Sequence, residues 1–348
     1  MAAKSLFVRD VWYYGLPGHE LKPGQTSAKT FLNEPILFGR TLSGSVFALR
    51  DTCPHQAAPL SAGTFDGNKI ECAFHGWTFD ETGQCTSIPS LASSQTFNTT
   101  CLKAQAYPVR EVQGNIWIYM ASHASHQGQI DLTVPQVPFF GDRPYQVAYS
   151  MQYASDIDHA VVGLLDPAHI SYVHRAWWWR SPAKLQEVTK QFKPSLHGFT
   201  MQRHQLEEQT LLYRLIGANP EVEISFQLPG IRIEHISTDK NTVCSLTAMT
   251  PISETKTEVT TLLYATLPWF PLFKPLALRF MHSFLEQDRV ILAKQNTRLQ
   301  DAPATKLVGD ADTQARWYFR LKKEFARSAA EDRPFVNPIK AKTLRWRS

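Results

Sequence analysis

Cys53-Pro54-His55 is followed, after sixteen residues, by Cys72-Ala73-Phe74-His75. Each short segment carries one thiol and one imidazole. Thiolates and neutral imidazoles are strong ligands for iron and zinc, so two such mixed pairs read as one metal centre held between two loops. The flanking residues suit that reading. Pro54, Pro59, Gly63, Gly67 and Gly76 allow tight loops, and Trp77 can shield a centre from water. Zinc fingers put the two cysteines together and the two histidines together. Here each loop supplies one of each, which suits a [2Fe–2S] cluster with two thiolates on one iron and two imidazoles on the other, a ligation that raises the potential. A Cys2His2 zinc site and four unliganded side chains are the alternatives. Cys85, Cys101 and Cys244 have no partner pattern and read as small apolar residues.

The surrounding chain has 348 residues, 43% hydrophobic and 19% charged. That is enough apolar material for sizeable cores and excludes dominant disorder. The length suits about two domains at roughly 150 residues each. No long uncharged apolar run is present. The most apolar region, Leu262 to Phe284, is interrupted by Pro268, Pro271, Lys274, Pro275 and Arg279, and reads as core or pocket wall. The net charge is +5, and the basic residues are scattered apart from an excess after Arg316. A solvated face explains that excess, and a docking patch for a small acidic redox protein is the other reading. The aromatic residues sit in apolar contexts, which argues against nucleic acid as a partner. Met1 to Ser5 precede no apolar run before Asp10, and five cysteines do not make a disulfide scaffold. Both features lead to the expectation of a reducing, cytoplasmic location.

Along the chain, the first 120 residues read as β. Pro35 to Phe38, Ser45 to Leu49 and Gly114 to Met120 are short apolar runs bounded by Gly and polar turns. Residues 123–146 carry several prolines and little periodicity and read as a connection. Beyond it come a helical stretch around 156–175, β-like runs such as Val222 to Phe226 and Glu258 to Tyr264, and helices at about 273–298 and 311–328. The expectation is an α+β chain: an all-β domain over 1–122, then a domain of antiparallel sheet and helices over 147–348.

The second constellation is Asp166-Pro167-Ala168-His169, then His174. Two neutral histidines and one carboxylate on one face of an iron form the non-heme Fe(II) oxygenase arrangement, with the opposite positions open to O2 and substrate. His169 and His174 are five apart, about 140° around an ideal helix. They converge only if the helix ends between them or carries a π-bulge. Asp166-Pro167 also reads as a helix cap. The third ligand is sought in Phe280 to Leu292. There Met281, Leu285, Asp288 and Leu292 share one helical stripe, and Arg279, His282, Glu286 and Arg289 share another. Glu286 therefore has cationic neighbours, whereas Asp288 interrupts an apolar face, where a metal ion or a buried ion pair would have to satisfy it. His159 is a competing ligand without a paired partner, and Asp156 and Asp158 read as caps or supporting groups. His204 and His235 fall in alternating β contexts and read as half-buried sheet residues.

With these motifs in order, the chain resembles the Rieske non-heme iron oxygenases, specifically their catalytic α subunits. The resemblance covers most of the chain and is most specific in Cys-Pro-His-x16-Cys-x2-His. It implies a Rieske β domain followed by a helix-grip (START-like) catalytic domain. It implies Cys53, His55, Cys72 and His75 on the [2Fe–2S] cluster, and His169, His174 and Asp288 on a mononuclear ferrous ion. It further implies that Asp166 links a cluster histidine of one subunit to an iron histidine of the next in a head-to-tail homotrimer. Two positions depart from the family pattern: Gln56 stands where Arg is common, and Gly163 where Asn is common. Neither is a ligand position, but both bear on the surroundings of the metals.

The length suits the single-subunit monooxygenases and demethylases, similar to vanillate and dicamba O-demethylase oxygenases. The implied reaction uses O2 to monohydroxylate or oxidatively dealkylate a hydrophobic or aromatic substrate. No G-x-G-x-x-G or P-loop is present, so NAD(P)H enters only through a separate reductase, with or without a ferredoxin. Trp177-Trp178-Trp179-Arg180 can line the pocket, pack an interface or fill the core. The alternative function is a Rieske electron-transfer or redox-sensing protein with an inactive second site. A ring-dihydroxylating or desaturating member of the same family is the other variant.

Overall fold

The computed structural model describes residues 7–123, 133–174, 185–205, 216–299, 301 and 305–348. The chain forms two compact units, Arg9–Gln136 and Met1–Val8 with Val137–Ser348. It is mixed α+β, with its helices in the second unit apart from short 3-10 turns, among the described residues.

The first unit contains β1 (Val11–Pro17), β2 (Gln25–Phe31), β3 (Glu34–Arg40), β4 (Val46–Arg50), β5 (Thr64–Phe65), β6 (Ile70–Glu71), β7 (Thr78–Phe79), β8 (Cys85–Ser87), β9 (Ala106–Tyr107), β10 (Val109–Val112) and β11 (Asn115–Met120). They build sheets in the orders β1-β11-β10, β2-β3-β4-β9 and β5-β6-β7-β8. The three apolar runs legible in the sequence become β3, β4 and β11. Every residue of β1 and β11 is buried, which explains their continuous rather than alternating apolar character. The β2–β3 hairpin closes on Leu32 and Asn33, both at positive φ, as a two-residue type I′ turn requires. Strands β5 to β8 are only two or three residues long. Leu49, Leu60, Ile70, Phe79 and Cys85 form a core with Cys53, Cys72 and Trp77. The apolar reading of Cys85 therefore agrees with its place in the core.

The second unit contains β12 (Val147–Tyr153), α1 (Ile157–Leu165), α2 (Ile170–Val173), β13 (Glu187–Ser195), β14 (Gly198–Gln205), β15 (Glu221–Gln227), β16 (Ile231–Ser237), β17 (Thr242–Ser253), β18 (Lys256–Ala265), α3 (Lys274–Leu299), α4 (Thr313–Ala330) and β19 (Lys342–Arg347). Its strands form one antiparallel sheet in the order β12-β18-β17-β16-β15-β14-β13-β19. The core joins Val161 and Leu165 of α1, Leu285 and Leu292 of α3, and Trp317 and Leu321 of α4 to sheet residues such as Phe199, Phe226 and Val259. No helix among the described residues is long and apolar enough to cross a membrane.

One element differs from the sequence expectation. The stretch 156–175 is not one helix. Pro167 disfavours the helical region for the residue before it, and Asp166 is extended at φ −74° and ψ 113°. Helix α1 ends there and α2 restarts after His169. The excess of basic residues near the end of the chain is partly internal: Lys322 pairs with Asp158, Arg327 with Glu331, Arg333 with Glu324 and Glu331, and Lys342 with Asp310.

Candidate metal centres

The first centre is built on two loops of the same construction. After β4, the Ala57 N–H donates to the Cys53 carbonyl at 2.9 Å and the Cys53 N–H to the Ala58 carbonyl at 2.8 Å. Between β6 and β7, the Gly76 N–H donates to the Cys72 carbonyl at 3.0 Å and the Cys72 N–H to the Trp77 carbonyl at 2.9 Å. In both loops the fourth residue after Cys has positive φ: Ala57 at 59° and Gly76 at 69°. The shared backbone puts both cysteines inside and leaves His55 and His75 exposed, with their rings 4.6 Å apart. Trp77 is buried and stacks on His55 at 4.4 Å and 6°, so it shields the histidine side.

Burial raises the Cys53 thiol above its ordinary pKa, the His55 and Gln56 N–H groups directed at it work against that, and the neighbouring Cys72 adds to the rise. A cation held between the loops would reverse the balance, because the N–H groups already favour a thiolate. Two inner sulfurs and two outer imidazoles fit as the donor set that would hold a [2Fe–2S] cluster.

The second centre joins the end of α1 to α3. His169, His174 and Asp288 each offer a ligand atom, all within 4.8 Å of one another. Asp288 Oδ1 lies 3.7 Å from His169 Nε2 and 3.4 Å from His174 Nε2. Ligand atoms about 2.1 Å from a common ion lie about 3 to 3.7 Å apart at angles of roughly 90 to 120°. His169 immediately precedes α2. His174 follows it at φ −93° and ψ 62°, so the helix ends before the second histidine and the two rings converge.

Each imidazole is oriented through its other nitrogen. His169 Nδ1 donates to the Asp166 carbonyl at 2.5 Å, and His174 Nδ1 donates to Gln287 Oε1 at 3.1 Å. Both Nε2 atoms are thereby left as bare lone pairs. His174 is buried, and its Nε2 has no hydrogen-bond partner. Phe284 stacks on the ring at 3.6 Å. Burial lowers the His174 pKa to about 4 and raises that of Asp288 to about 7. An orphaned buried imidazole nitrogen beside a carboxyl that burial discharges is a donor set that a divalent cation would satisfy.

The remaining candidates separate from the triad. Asp166 Oδ1 accepts from the Ala168 N–H at 2.7 Å, and its carboxylate is not among the three converging ligand groups. It ends α1 rather than starting a helix. Asp156 caps α1 through the N–H groups of Asp158 and His159, and its other oxygen lies 2.7 Å from His159 Nδ1. His159 therefore has its partner in Asp156 and stands outside the triad. Asp158 accepts from Tyr318 and Lys322 at 2.6 Å. Glu286 pairs with Arg289. His235 is buried and accepts from Arg203 at 3.2 Å, while His204 Nδ1 donates to the Gln202 carbonyl at 3.0 Å. Trp177, Trp178, Trp179 and Arg180 lie outside the described residues. Residue order carries no signal for Gln287 or Phe284 beyond the helical period that places them.

A cavity of about 2140 Å3 adjoins the triad, walled by α1, the sheet face and α3. Leu263, Leu267, Trp269, Phe270, Phe273 and Phe280 line it, so the apolar Leu262 to Phe284 region is pocket wall over much of its length.

Two family models match: the Rieske [2Fe-2S] domain over residues 11–103 and the vanillate O-demethylase oxygenase C-terminal domain over residues 162–328. The chain belongs to the Rieske oxygenases. Among curated members of that family, it is 32% identical over 171 residues to the iron–sulfur subunit of the toluene-4-sulfonate monooxygenase system of Comamonas testosteroni, a match spanning 49% of this chain and 47% of that protein. It is 32% identical over 176 residues to the dicamba O-demethylase oxygenase component of Stenotrophomonas maltophilia, spanning 49% and 48%. It is 33% identical over 134 residues to 4beta-methylsterol monooxygenase of Methylococcus capsulatus, spanning 38% and 36%. The matches thus span about half or less of those relatives' own length. The crystal structure of dicamba monooxygenase bound to dicamba superposes with a TM-score of 0.72 over 93% of this chain and 99% of that one, at 22% identity. The shared fold is that of a Rieske oxygenase.

Proposed function

We propose that the chain is the oxygenase component of a Rieske-type system, which monohydroxylates or oxidatively dealkylates a hydrophobic or aromatic substrate with O2. The observation that carries this reading is the buried, unpartnered His174 Nε2 facing Asp288 and His169 beside an apolar cavity. Cys53, His55, Cys72 and His75 would hold the cluster, and His169, His174 and Asp288 the mononuclear iron. Bound there, the cluster would supply single electrons and the ferrous ion the activation of O2. The protein's own residues do the rest. Gln287 and the Asp166 carbonyl fix the two imidazole tautomers, Phe284 clamps the His174 ring, and the apolar wall excludes water from the reacting carbon.

The same reading assigns electrons to a separate reductase, with or without a ferredoxin, and NAD(P)H to that partner. It assigns the chain to the cytoplasm as a homotrimer in which Asp166 links the cluster of one subunit to the iron of the next. The division into a cluster domain over 1–122, a connection over 123–146 and a catalytic domain over 147–348 belongs to it as well. The relatives' names range from a toluene sulfonate to a methylsterol, so the substrate class rests on this chain's own cavity.

Iron per chain after anaerobic purification tests the reading, with EPR spectra of the reduced protein before and after nitric oxide. About three irons are expected, with a Rieske signal and a high-spin nitrosyl signal that Asp288→Ala abolishes. Two irons and no nitrosyl signal after ferrous reconstitution would leave an electron carrier.

A further inference from the structure

We propose that Arg232 and Glu234 form a substrate-selecting pair in the cavity, one that admits an uncharged, largely apolar molecule bearing a hydroxyl or carbonyl group and rejects free carboxylates and sulfonates. The proposal rests on the reading of the cavity as the substrate site.

Strand β16 alternates, so Arg232, Glu234 and Ile236 share one face, and all three line the cavity. Arg232 Nη2 donates to Glu234 Oε2 at 3.0 Å, with each side chain about a fifth exposed, at 22% and 21%. Their cross-strand neighbours are uncharged: Thr247 and Ser245 on β17, Phe226 and Ile224 on β15. The pair therefore balances its own charge, with no charged residue directly across from it on either neighbouring strand. His169 and Asp288 line the same cavity.

That balance determines what can bind. A guanidinium has five donors and a carboxylate two acceptor oxygens, so the pair leaves both a donor and an acceptor unused. A hydroxyl can accept from Arg232 and donate to Glu234 without breaking the pair, and a carbonyl can accept from Arg232. A carboxylate or sulfonate reaching Arg232 would sit against the Glu234 carboxylate, and this repulsion is strong where water is scarce. An ammonium meets the opposite obstacle at Arg232. Lys190 and Arg279 also line the cavity. Were either to supply an anion site, the preference would run the other way.

Fluorescence titration of the purified holoprotein with 9-anthracenemethanol, 9-anthracenecarboxylate and 9-anthracenemethylamine tests this without turnover. The alcohol is expected to bind about tenfold or more tighter than either ion. Glu234→Gln, which frees the cation, is expected to reverse the order in favour of the carboxylate. Arg232→Met, which frees the anion, is expected to favour the amine. Cluster absorbance identifies variants that retain the fold, and either variant suffices. A wild-type preference for the carboxylate, an order unchanged in a folded variant, or no binding of the alcohol overturns the proposal. Iron analysis of the same preparations separates the two readings. Three irons with no alcohol preference sink the selecting pair alone. Two irons with the preference intact sink the oxygenase and leave a binding cavity.

Discussion

His174 divides its two ring nitrogens between two tasks. Nδ1–H is held by Gln287 Oε1 at 3.1 Å, and Nε2 is buried without a hydrogen bond. A group that orients a ligand in this way typically controls metal affinity by about 10- to 100-fold. Gln287→Leu is therefore expected to weaken ferrous ion binding at the triad by about that factor while leaving the cluster spectrum unchanged, as read by ferrous titration with the nitrosyl signal as reporter. Asp288→Asn keeps the shape and removes the charge, and iron analysis should find the mononuclear iron lost and the cluster retained. At the first centre, Ala57 occupies a φ of 59°, a region that costs a residue with a Cβ about 1 to 2 kcal/mol. Ala57→Gly should recover up to about 1 kcal/mol in denaturant unfolding, because glycine adopts this conformation freely but also loosens the unfolded chain.

Helix α1 shows how local chemistry positions a site at the level of an element. Asp156 starts it as a cap, and Pro167 ends it by making Asp166 extended. Asp156→Ala should cost about 1 to 2 kcal/mol, most of it from the lost cap. The ion pair with His159 adds a pH dependence. Its hydrogen bond to Asp156 is the largest influence raising the His159 pKa. For Asp156, burial acts upward but is outweighed by the hydrogen bonds from His159 and the helix N–H groups, leaving the pKa lowered. The His159 contribution is complete below its unfolded pKa of about 6.5 and is lost as pH rises through the raised folded value. The Asp156 contribution is present above its unfolded pKa of about 3.9 and is lost as pH falls through the lowered folded value. The stability difference between Asp156→Asn, which keeps an acceptor, and the unmodified protein should therefore be greatest between those limits and shrink on either side of them.

Gly163 stands in the middle of the same helix. A Cβ there would meet Leu292 at 3.5 Å, an ordinary contact, so Gly163→Ala should stabilise by about 0.5 to 1 kcal/mol. A cost instead would show that the helix needs its glycine. The cap of α1 was legible in residue order, since Asp156 acts on its near neighbours, but its stop was not: Asp166-Pro167 read as the start of a helix, and the structure makes it the end of one. The consequence, that His174 leaves the helix and turns toward His169, was only one of two possibilities the spacing allowed.

Across the whole molecule, the two units depend on different forces. The second has an eight-stranded sheet with helices packed on it and a large apolar core. In the first, the Cys72 loop sits on β5 to β8, strands of two or three residues. Strands that short contribute little by themselves, so a cluster tying the two Cys loops together should carry much of the local stability. Cys72→Ser is expected to remove the cluster absorbance and lower the transition of the first unit by calorimetry, with the transition of the second unit retained. A single transition unchanged in temperature would show that the loops hold themselves.

What residue order by itself determined here is what depends on near neighbours. It paired each Cys with its His, put Asp288 on the apolar stripe of Met281, Leu285 and Leu292, and placed the apolar wall after Leu262. Each of these follows from a turn, a helical period or a run, interactions that reach only a few residues along the chain. Only the tertiary structure decided which groups face each other across long separations. Asp288 meets His169 and His174 because α3 packs beside the end of α1, and Gln287 then reaches His174 from a helix more than a hundred residues away. Arg232 and Glu234 look like ordinary strand charges in sequence. They line the cavity because the face of β16 that carries them is the face covered by the helices, and which face is covered is settled by packing of the whole sheet rather than by the strand's own period.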